Sequence, residues 1–236
     1  MDVTTTILDR EMYSEAEAAR ILTVPKTTLH WWLEGGERRR KVYPPVLRPE
    51  PTGSTSVTWA EFVEAALLRC YRRDLNVQLG ELRRFIDRLR DETGVPYPLA
   101  HHRPWVAGGR LILDQQREAG LPDDLALVAI TTNQALIFTD PAEAFLRRVD
   151  WKDDVAAGWH PHDDEASPVR CDPLVRFGRP MIRGVSTETI NEHLRAGEDE
   201  ADVAEQFDLE VEDVQWAKAF DLSQRTRRAG RVRPAA

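Results

Sequence analysis

Two short helical patterns separated by a three-residue break lie between residues 14 and 33. In the first pattern, Ser14 and Glu17 have the spacing of a capping box, in which each side chain pairs with the backbone of the other residue. The apolar residues of this helix recur at helical spacing: Ala18, Ile21 and Leu22. The break, Thr23-Val24-Pro25, ends in a proline, which suits the first turn of a new helix because that turn needs no N–H there.

The second helix is predicted from Lys26 to about Leu33, and its faces differ in chemistry. Leu29, Trp32 and Leu33 share one face. The other faces carry polar and aromatic side chains: Lys26, Thr27, Thr28, His30 and Trp31. Two short helices joined by a three-residue turn, the second rich in residues compatible with DNA, indicate a helix-turn-helix. An ordinary helical hairpin at a domain edge is the alternative.

A basic run and several turn-forming residues follow the second helix. Gly35-Gly36 ends that helix and leads into Glu37-Arg38-Arg39-Arg40-Lys41. Two prolines interrupt the stretch 43–47, and Thr52-Gly53-Ser54 then supplies a turn. The segment is therefore predicted to form a two-stranded wing with a loop.

Two longer helices are predicted after this wing. Thr58 and Glu61 form a second capping box, and the helix that they open turns Phe62, Ala66 and Leu67 inward. A further helix is predicted over about 78–93 and ends at the stop signals Gly94 and Pro96. Its apolar stripe is Leu79, Leu82, Phe85, Ile86 and Leu89.

Charge is divided unevenly along the chain, whose formal net charge is −8. Residues 1–93 hold 15 basic and 15 acidic residues, residues 94–221 hold 12 and 25, and residues 222–236 hold five arginines and no acid. A local patch, rather than the total charge, sets the electrostatic footprint, so the front third can still bind nucleic acid. Its candidate basic patch comprises Arg38, Arg39, Arg40, Lys41, Arg48, Arg69, Arg72, Arg73, Arg83, Arg84, Arg88 and Arg90.

Composition excludes several classes of protein. Apolar residues make up 42% of the chain and charged residues 31%, which suits a folded protein with a charged surface. No window approaches the roughly eighteen apolar residues of a membrane span, and the start carries no secretory pattern. Cys70 and Cys171 match no metal or redox spacing. We therefore expect reduced thiols and a cytoplasmic protein.

The middle of the chain predicts a small sheet with a covering helix. Strands are expected at 109–113, 125–130 and 135–138, and Asp140-Pro141 opens the helix. A dimerisation or domain-docking platform is the favoured interpretation, and a ligand pocket is the alternative.

Signals of metal or catalytic chemistry are sparse. The run His160-Pro161-His162-Asp163-Asp164 places metal-binding side chains together, but no paired cysteines or second cluster completes a site. The chain has no nucleophile elbow, phosphate-binding glycine loop or His-Glu-x-x-His helix. We therefore expect no metal, no cofactor and no enzymatic activity, and we interpret 151–171 as an acidic linker.

The rear of the chain predicts a compact acidic module. Three helices are expected at about 187–196, 199–207 and 211–221, after turns at Gly178-Arg179-Pro180 and Arg183-Gly184. Their predicted core comprises Ala204, Phe207, Val211 and Val214, completed by Trp216 or Ala217. Residues 188–213 contain eleven acids against one arginine, which favours self-association over contact with DNA phosphates. Beyond it, 223–236 is poor in apolar residues and is predicted to be a disordered basic tail.

The front third resembles the first helices of MerR-like winged helix-turn-helix domains. The resemblance is carried by the residues 13–22, Val24-Pro25 and Thr28-Leu29-His30-Trp31-Trp32. It implies that the helix from Lys26 enters a major groove and that the wing arginines contact phosphates. The implied DNA-binding residues are Lys26, Thr27, Thr28, His30, Trp31, Arg38, Arg39, Arg40 and Lys41. The chain departs from the family at Thr23, where glycine is usual, at His30, where arginine is common, and at 53–56, which lack the wing signature.

The rear module resembles a small homeodomain-like family of unknown function, the one numbered four-three-three, which occurs in many bacterial antitoxins. The glycine-arginine-proline turn and Arg183-Gly184 carry this resemblance. Together, the two resemblances imply a VapB-type antitoxin that neutralises a PIN-domain ribonuclease and autorepresses its operon as a homodimer on an inverted repeat. The tail arginines suit the carboxylate cluster of such a nuclease, and the implied toxin-binding residues are Arg225, Arg227, Arg228 and Arg231.

The sequence therefore predicts a mostly helical α+β fold. Its expected parts are a winged helix-turn-helix at 1–93, a small α/β region for dimerisation at 94–150, the linker at 151–171, a three-helix domain at 172–222 and the tail at 223–236. Two other functions stay open. One is an effector-responsive transcriptional regulator without a toxin, and the other is an adaptor that binds only protein.

Overall fold

The computed structural model describes residues 7–74, 79–101, 114, 117–119, 128–130, 136–138, 140–162 and 164–229. The chain divides into two compact units, Met1–Ala157 and Gly158–Ala236. In the described residues, helices predominate and the strands pair two by two in small sheets. This is the mostly helical α+β fold that the sequence predicts.

The first unit opens with helices and short strands. In chain order they are β1 (Glu11–Ser14), α1 (Glu15–Ile21), α2 (Lys26–Glu34), β2 (Gly36–Arg38), β3 (Lys41–Tyr43), β4 (Ser56–Thr58), α3 (Trp59–Asp74) and α4 (Leu79–Thr93). β2 and β3 form an antiparallel hairpin, and β1 pairs with the distant β4 so that Tyr13 lies opposite Val57. The β1–β4 pair therefore ties the start of α1 to the start of α3.

Capping side chains fix where α1 and α3 begin. The Ser14 hydroxyl accepts a hydrogen bond from the Glu17 N–H at 3.2 Å. At α3, the Glu61 N–H donates to the Thr58 hydroxyl at 3.2 Å, and the Thr58 N–H donates to the Glu61 carboxylate at 2.9 Å. The predicted apolar stripes are buried except for Leu79, which is half-buried; the buried members are Ala18, Ile21, Leu22, Leu29, Trp32, Leu33, Phe62, Ala66, Leu67, Leu82, Phe85, Ile86 and Leu89. The sequence patterns of these four helices are thus confirmed.

The later part of the first unit contains a 3-10 turn (Pro98–Ala100), β5 (Val128–Ile130), β6 (Leu136–Phe138), α5 (Asp140–Arg147), β7 (Val149–Lys152) and β8 (Val155–Trp159). β5 and β6 pair antiparallel, as predicted, and α5 begins at the predicted Asp140. The strand expected at 109–113 lies outside the described residues.

The interpretation of 151–171 as a linker is wrong. β7 and β8 form a hairpin whose turn residues, Asp153 and Asp154, both have left-handed backbone angles. The prolines and acidic residues from Trp159 to Pro168 suggest an exposed linker, whereas Val155 and Ala156, which precede them in β8, are buried. Ala156 O also accepts a hydrogen bond from the buried Trp59 indole at 2.6 Å, which ties β8 to α3.

The second unit contains β9 (Met181–Ile182), β10 (Val185–Ser186), α6 (Thr187–Ala196), α7 (Glu200–Phe207) and α8 (Val211–Ala229). β9 and β10 pair antiparallel across the two-residue turn Arg183-Gly184, which has left-handed angles at both positions. The core of the unit comprises Val169, Ile182, Ile190, Val203, Ala204, Leu209, Val214, Ala217 and Phe220. The three predicted helices are confirmed.

Two details of the rear prediction are wrong. Val211 is 40% exposed, because it lies on the solvent side of the first turn of α8, whereas Val214 on the same turn and Leu209 before it belong to the core. The tail is also not disordered from residue 223, since α8 continues to Ala229. Gln224 is buried, and the Arg225 guanidinium pairs with the Asp221 carboxylate one turn earlier at 2.8 Å, so local contacts extend the helix. Residues 230–236 lie outside the described residues.

Candidate nucleic-acid interface

The turn between α1 and α2 is a Schellman motif. The Val24 N–H donates to Ala19 O at 2.9 Å and the Thr23 N–H donates to Arg20 O at 3.1 Å. Thr23 occupies the left-handed position of this motif, at φ +54°, where glycine is usual. Its hydroxyl is buried and has no hydrogen-bond partner among the described residues. The threonine that departs from the MerR pattern therefore stands at a position that the fold strains.

Replacing Thr23 with glycine is expected to stabilise the protein by about 1 kcal/mol, because glycine adopts left-handed angles without a Cβ clash. The substitution also removes a buried hydroxyl without a partner, although the greater freedom of glycine in the unfolded chain offsets part of the gain. Urea unfolding of Thr23→Gly checks this, with Thr27→Gly inside α2 as the control that should lower stability. A less stable Thr23→Gly protein would contradict the assignment of strain.

α2 presents the predicted DNA-binding side chains outward. Lys26, Thr27 and His30 are exposed, and Thr28 and Trp31 are half-buried. The opposite face is closed, because Leu29, Trp32 and Leu33 are buried in the first unit. The residues on which base contact was predicted thus lie on an accessible helix face.

A buried carboxylate orients His30. The His30 Nδ1 lies 2.8 Å from an Oε1 of Glu15, whose side chain is buried at the start of α1. When Nδ1 carries the proton and donates it to Glu15, Nε2 is left as an acceptor for an outside group. His30 is therefore held in place at the surface, although the sequence spacing of 15 residues gives no sign of this pair.

The β2–β3 hairpin carries the basic run at its tip. Arg39 and Arg40 are the two turn residues, with φ +54° and +62°, which is the pattern of a type I′ turn. Arg38 and Lys41 flank the turn, and all four side chains are exposed. The hairpin therefore presents four cations next to α2, as the wing prediction requires.

The wing is smaller than the sequence suggested. It spans 36–43, and Thr52-Gly53-Ser54 belongs to a loop that leads into β4 and does not form the wing tip. Gly35 ends α2 at φ +65°, and a Cβ there would lie 2.1 Å from Tyr43 O. This close approach brings β3 back against the end of α2 and closes the hairpin earlier than predicted.

Arg48, assigned to the basic patch from the sequence, is instead buried in an ion cluster. Its guanidinium donates to the Glu61 carboxylate at 2.7 Å and to Ser56 O at 2.7 Å, and it also pairs with Glu34. Although burial would raise the pKa of the Glu34 carboxyl, hydrogen bonds from Gly53, Thr52 and Arg48 and the charge of Arg48 lower it. Arg48 thus joins α2, the loop and α3, and it offers no charge to DNA.

The other arginines of the predicted basic patch fall into two groups, those bonded within the protein and those exposed to solvent. Arg69 is buried, and Arg90 donates to Asp87, Pro96 O and Leu47 O within the first unit. Arg84 and Arg88 are exposed on α4, whereas the side chains of Arg72 and Arg73 lie outside the described set. The available charge near α2 is therefore concentrated in the β2–β3 hairpin.

Glu64 is a fully buried carboxyl behind this surface, on α3. Its Oε1 accepts a hydrogen bond from the Leu99 N–H at 3.0 Å, and its Oε2 lies 3.9 Å from the Arg90 guanidinium. Burial raises the pKa of Glu64 to about 7, in spite of the lowering effects of Arg90 and the Leu99 N–H. Sequence reasoning missed this residue because the helix stripe alone does not reveal a buried acid.

Glu64 is expected to make the protein less stable as pH rises from about 4.5 to about 7. Over that interval the unfolded chain loses the Glu64 proton and the folded protein keeps it, so ionisation at higher pH costs about 3 kcal/mol. Urea unfolding at about pH 4.5 and pH 8 checks this. The fall in the free energy of unfolding between these pH values should be smaller in Glu64→Gln by about 3 kcal/mol. Equal pH dependence in Glu64→Gln and the unaltered protein would contradict it.

The predicted toxin-binding arginines lie at the end of α8 and beyond it. Arg225 is exposed, and its partner Asp221 also accepts from Arg195 at 3.1 Å. Arg227 and Arg228 belong to the last turn of α8, but their side chains lie outside the described set, as does Arg231 altogether. The structure therefore places the first three on one helix end.

The His160–Asp164 run does not form a metal cluster in the described residues. The His162 ring instead packs edge-on against Trp216, with centroids 5.5 Å apart, and its Nδ1 accepts from the Asp164 N–H at 3.0 Å. No helix in the described ranges is long and apolar enough to cross a membrane.

Comparison with known proteins places the chain in a family. Residues 169–220 match the family described as "Protein of unknown function (DUF433)", which confirms that prediction for the rear module. "Uncharacterized protein Rv2308" of Mycobacterium tuberculosis (strain ATCC 25618 / H37Rv) is 34% identical over 231 residues, 95% of each chain. From the same organism, "Putative antitoxin VapB45" is 30% identical over 205 residues, 80% of this chain and 84% of that protein. The chain belongs to the VapB45 family.

A solved structure has a similar fold. The crystal structure of Rv2018 from Mycobacterium tuberculosis has a TM-score of 0.72 and 26% sequence identity, and the match covers 89% of this chain and 98% of that one. A match of this extent takes in most of both units. The likeness to this solved structure therefore extends into the front unit and is not confined to the DUF433 segment.

Proposed function

We propose that this chain is the antitoxin of a type II toxin–antitoxin pair. The observation that carries the proposal is its 30% identity to the protein named "Putative antitoxin VapB45", across 84% of that protein. The alignment spans 205 residues, far more than the segment 169–220 that matches DUF433, so the likeness is not confined to the rear module. The antitoxin role is therefore proposed for the whole chain.

In this proposal the first unit binds operator DNA. α2 enters the major groove with Thr27, Thr28 and His30 at base edges and with Lys26 and Trp31 beside them. The exposed tip of the β2–β3 hairpin supplies phosphate contacts through Arg38 to Lys41. The chain acts as a homodimer on an inverted repeat, because two-fold protein symmetry calls for two-fold operator symmetry.

The second unit and its helix end bind the toxin. Residues 188–213 are too acidic to approach DNA phosphates, so this unit is free for protein contact. The partner is a PIN-domain ribonuclease, and the arginines at 225–231 pair with its active-site carboxylates and compete with its metal. Binding of the toxin and of DNA thus use opposite ends of the sequence, and the complex autorepresses its operon.

Co-expression with the product of the neighbouring gene tests the proposal. The tagged full chain should co-purify with that product, stop its ribonuclease activity and bind DNA from its own promoter. An unrelated reading frame expressed in the same way is the control. A neighbour without ribonuclease activity, or one that forms no complex, would overturn the antitoxin role. DNA binding that persists in that case would favour the regulator without a toxin.

A further inference from the structure

A cavity of about 480 Å³ opens beside the proposed DNA-binding helix. Its walls come from α2, from the β2–β3 hairpin with the residues that follow it, and from the first turns of α4. Pockets of roughly 300–1,000 Å³ are the usual size for small-molecule sites. The cavity is therefore large enough for a ligand of one or two fused rings.

Aromatic side chains form one part of the wall. Trp31, Trp32 and Tyr43 line the cavity, and the Trp31 and Tyr43 rings meet edge-on with centroids 6.3 Å apart. Trp32 is fixed by burial, and Gly36 allows the Trp31 ring to pass where a Cβ would lie 3.2 Å from it. The aromatic wall is thus held in place and can stack on a flat ring.

Cationic side chains form another part of the cavity wall. Arg38 and Arg83 line the cavity, and the lining residues that the structure describes include no acid. The Arg83 Nε donates to Asp87 at 3.2 Å, while its Nη1 is buried without a hydrogen-bond partner in the described part of the chain. Arg83 can therefore donate one more hydrogen bond, and Thr27 and Thr28 add hydroxyls to the cavity wall.

We propose that this cavity binds a small aromatic anion, a flat ring system that carries a carboxylate or phosphate. The ring stacks against Trp31 and Tyr43, with the buried Trp32 behind them, and the anionic group pairs with Arg38 and Arg83. A base in duplex DNA stays stacked inside the helix, so DNA itself does not fill such a cavity. The site lies apart from the central β5–β6 sheet that the sequence offered as a pocket.

A ligand in this cavity would regulate binding to operator DNA, an inference that rests on the proposed function. Thr27, Thr28, Trp31 and Arg38 both line the cavity and belong to the proposed DNA interface. An anion held there neutralises Arg38 and occupies the space next to Thr27, Thr28 and Trp31. Ligand and operator DNA therefore exclude one another.

Calorimetric titration of the full chain tests the ligand site without DNA. The probes are 2-naphthoate and its neutral and cationic counterparts of the same shape, 2-naphthalenemethanol and 2-naphthylmethylammonium. 2-Naphthoate should bind one per chain, at least about tenfold more tightly than either counterpart. Arg83→Gln and Tyr43→Ala should each weaken it by about tenfold, and Arg84→Gln, an exposed neighbour on the other side of α4, should leave it unchanged.

Three outcomes would overturn the site: no binding of 2-naphthoate at millimolar concentration, equal binding of the cation, or equal loss in Arg84→Gln and Arg83→Gln. Thermal unfolding of each variant verifies that the fold is kept. A second titration then adds 2-naphthoate to the complex with promoter DNA, where release of DNA is expected. Because the first titration contains no DNA, loss of the DNA-binding proposal alone would leave its result standing.

Discussion

Removing the three arginines of the hairpin tip is expected to weaken binding to every DNA duplex on the order of 100-fold at low salt. The substitution set Arg38→Gln, Arg39→Asn and Arg40→Gly is designed to keep the hairpin, because Asn-Gly is the preferred pair for a type I′ turn. Both turn residues have left-handed angles, so plain alanine would add strain to the loss of charge. The affinity loss then reports the missing phosphate contacts rather than a damaged wing.

Fluorescence anisotropy at several salt concentrations measures this effect. The slope of log K against log salt should fall by about three per protomer, since each lost phosphate contact releases about one counterion fewer. Arg84→Gln with Arg88→Gln, which removes two exposed cations of α4, is the control and should change the slope little. An unchanged slope in the hairpin variant would remove the hairpin from the DNA interface.

Ending the chain after Thr226 is expected to abolish neutralisation of the toxin and to leave DNA binding intact. This end point keeps the buried Gln224 and the Arg225–Asp221 ion pair, so the helix packing of the second unit is preserved. It removes the guanidinium groups of Arg227, Arg228 and Arg231, which the proposal places at the carboxylate cluster of the nuclease. Arg225→Gln in the full chain tests the remaining member of the set.

Ribonuclease activity of the co-expressed partner, with and without each form of the antitoxin, measures this prediction. The shortened chain should inhibit at least about 100-fold less well, as several charge-assisted hydrogen bonds are lost together. Lys218→Gln changes a residue on the same helix as the arginines and breaks its exposed pair with Glu200 of α7, so it is the control and should still inhibit. Inhibition that survives the truncation would move the toxin contact to another surface of the protein.

Local signals account for what could be predicted from the sequence. The capping residues at Ser14 and Thr58, the proline before α2 and the helical spacing of apolar residues each act within a few positions of the chain. They fix where the helices begin and which faces are buried, and so they place Thr27 and His30 on the outside of α2. The DUF433 helices are equally local, which is why their bounds agree to within one residue at each N-terminus.

Contacts between distant residues account for what was missed. Nothing near Arg48 in sequence distinguishes it from the hairpin arginines, and only folding brings Glu34 and Glu61 against it. The β7–β8 hairpin was missed because the prolines and acidic residues from Trp159 to Pro168 are typical of a linker, while burial of Val155 depends on the rest of the first unit. The predicted wing is too long because the close approach of β3 to Gly35, which ends the hairpin, is a tertiary contact that the sequence pattern does not reveal.

The ratio of affinities for promoter DNA and for a scrambled duplex of equal length tests the central claim most directly. Thr27→Ala with His30→Ala changes two exposed side chains of α2 and no hairpin charge, so binding to the scrambled duplex should stay within about twofold. Binding to the promoter should fall by about 10- to 100-fold, because base contacts of this kind are worth roughly 1–3 kcal/mol. A ratio unchanged by the double substitution would contradict the assignment of α2 as the element that reads DNA.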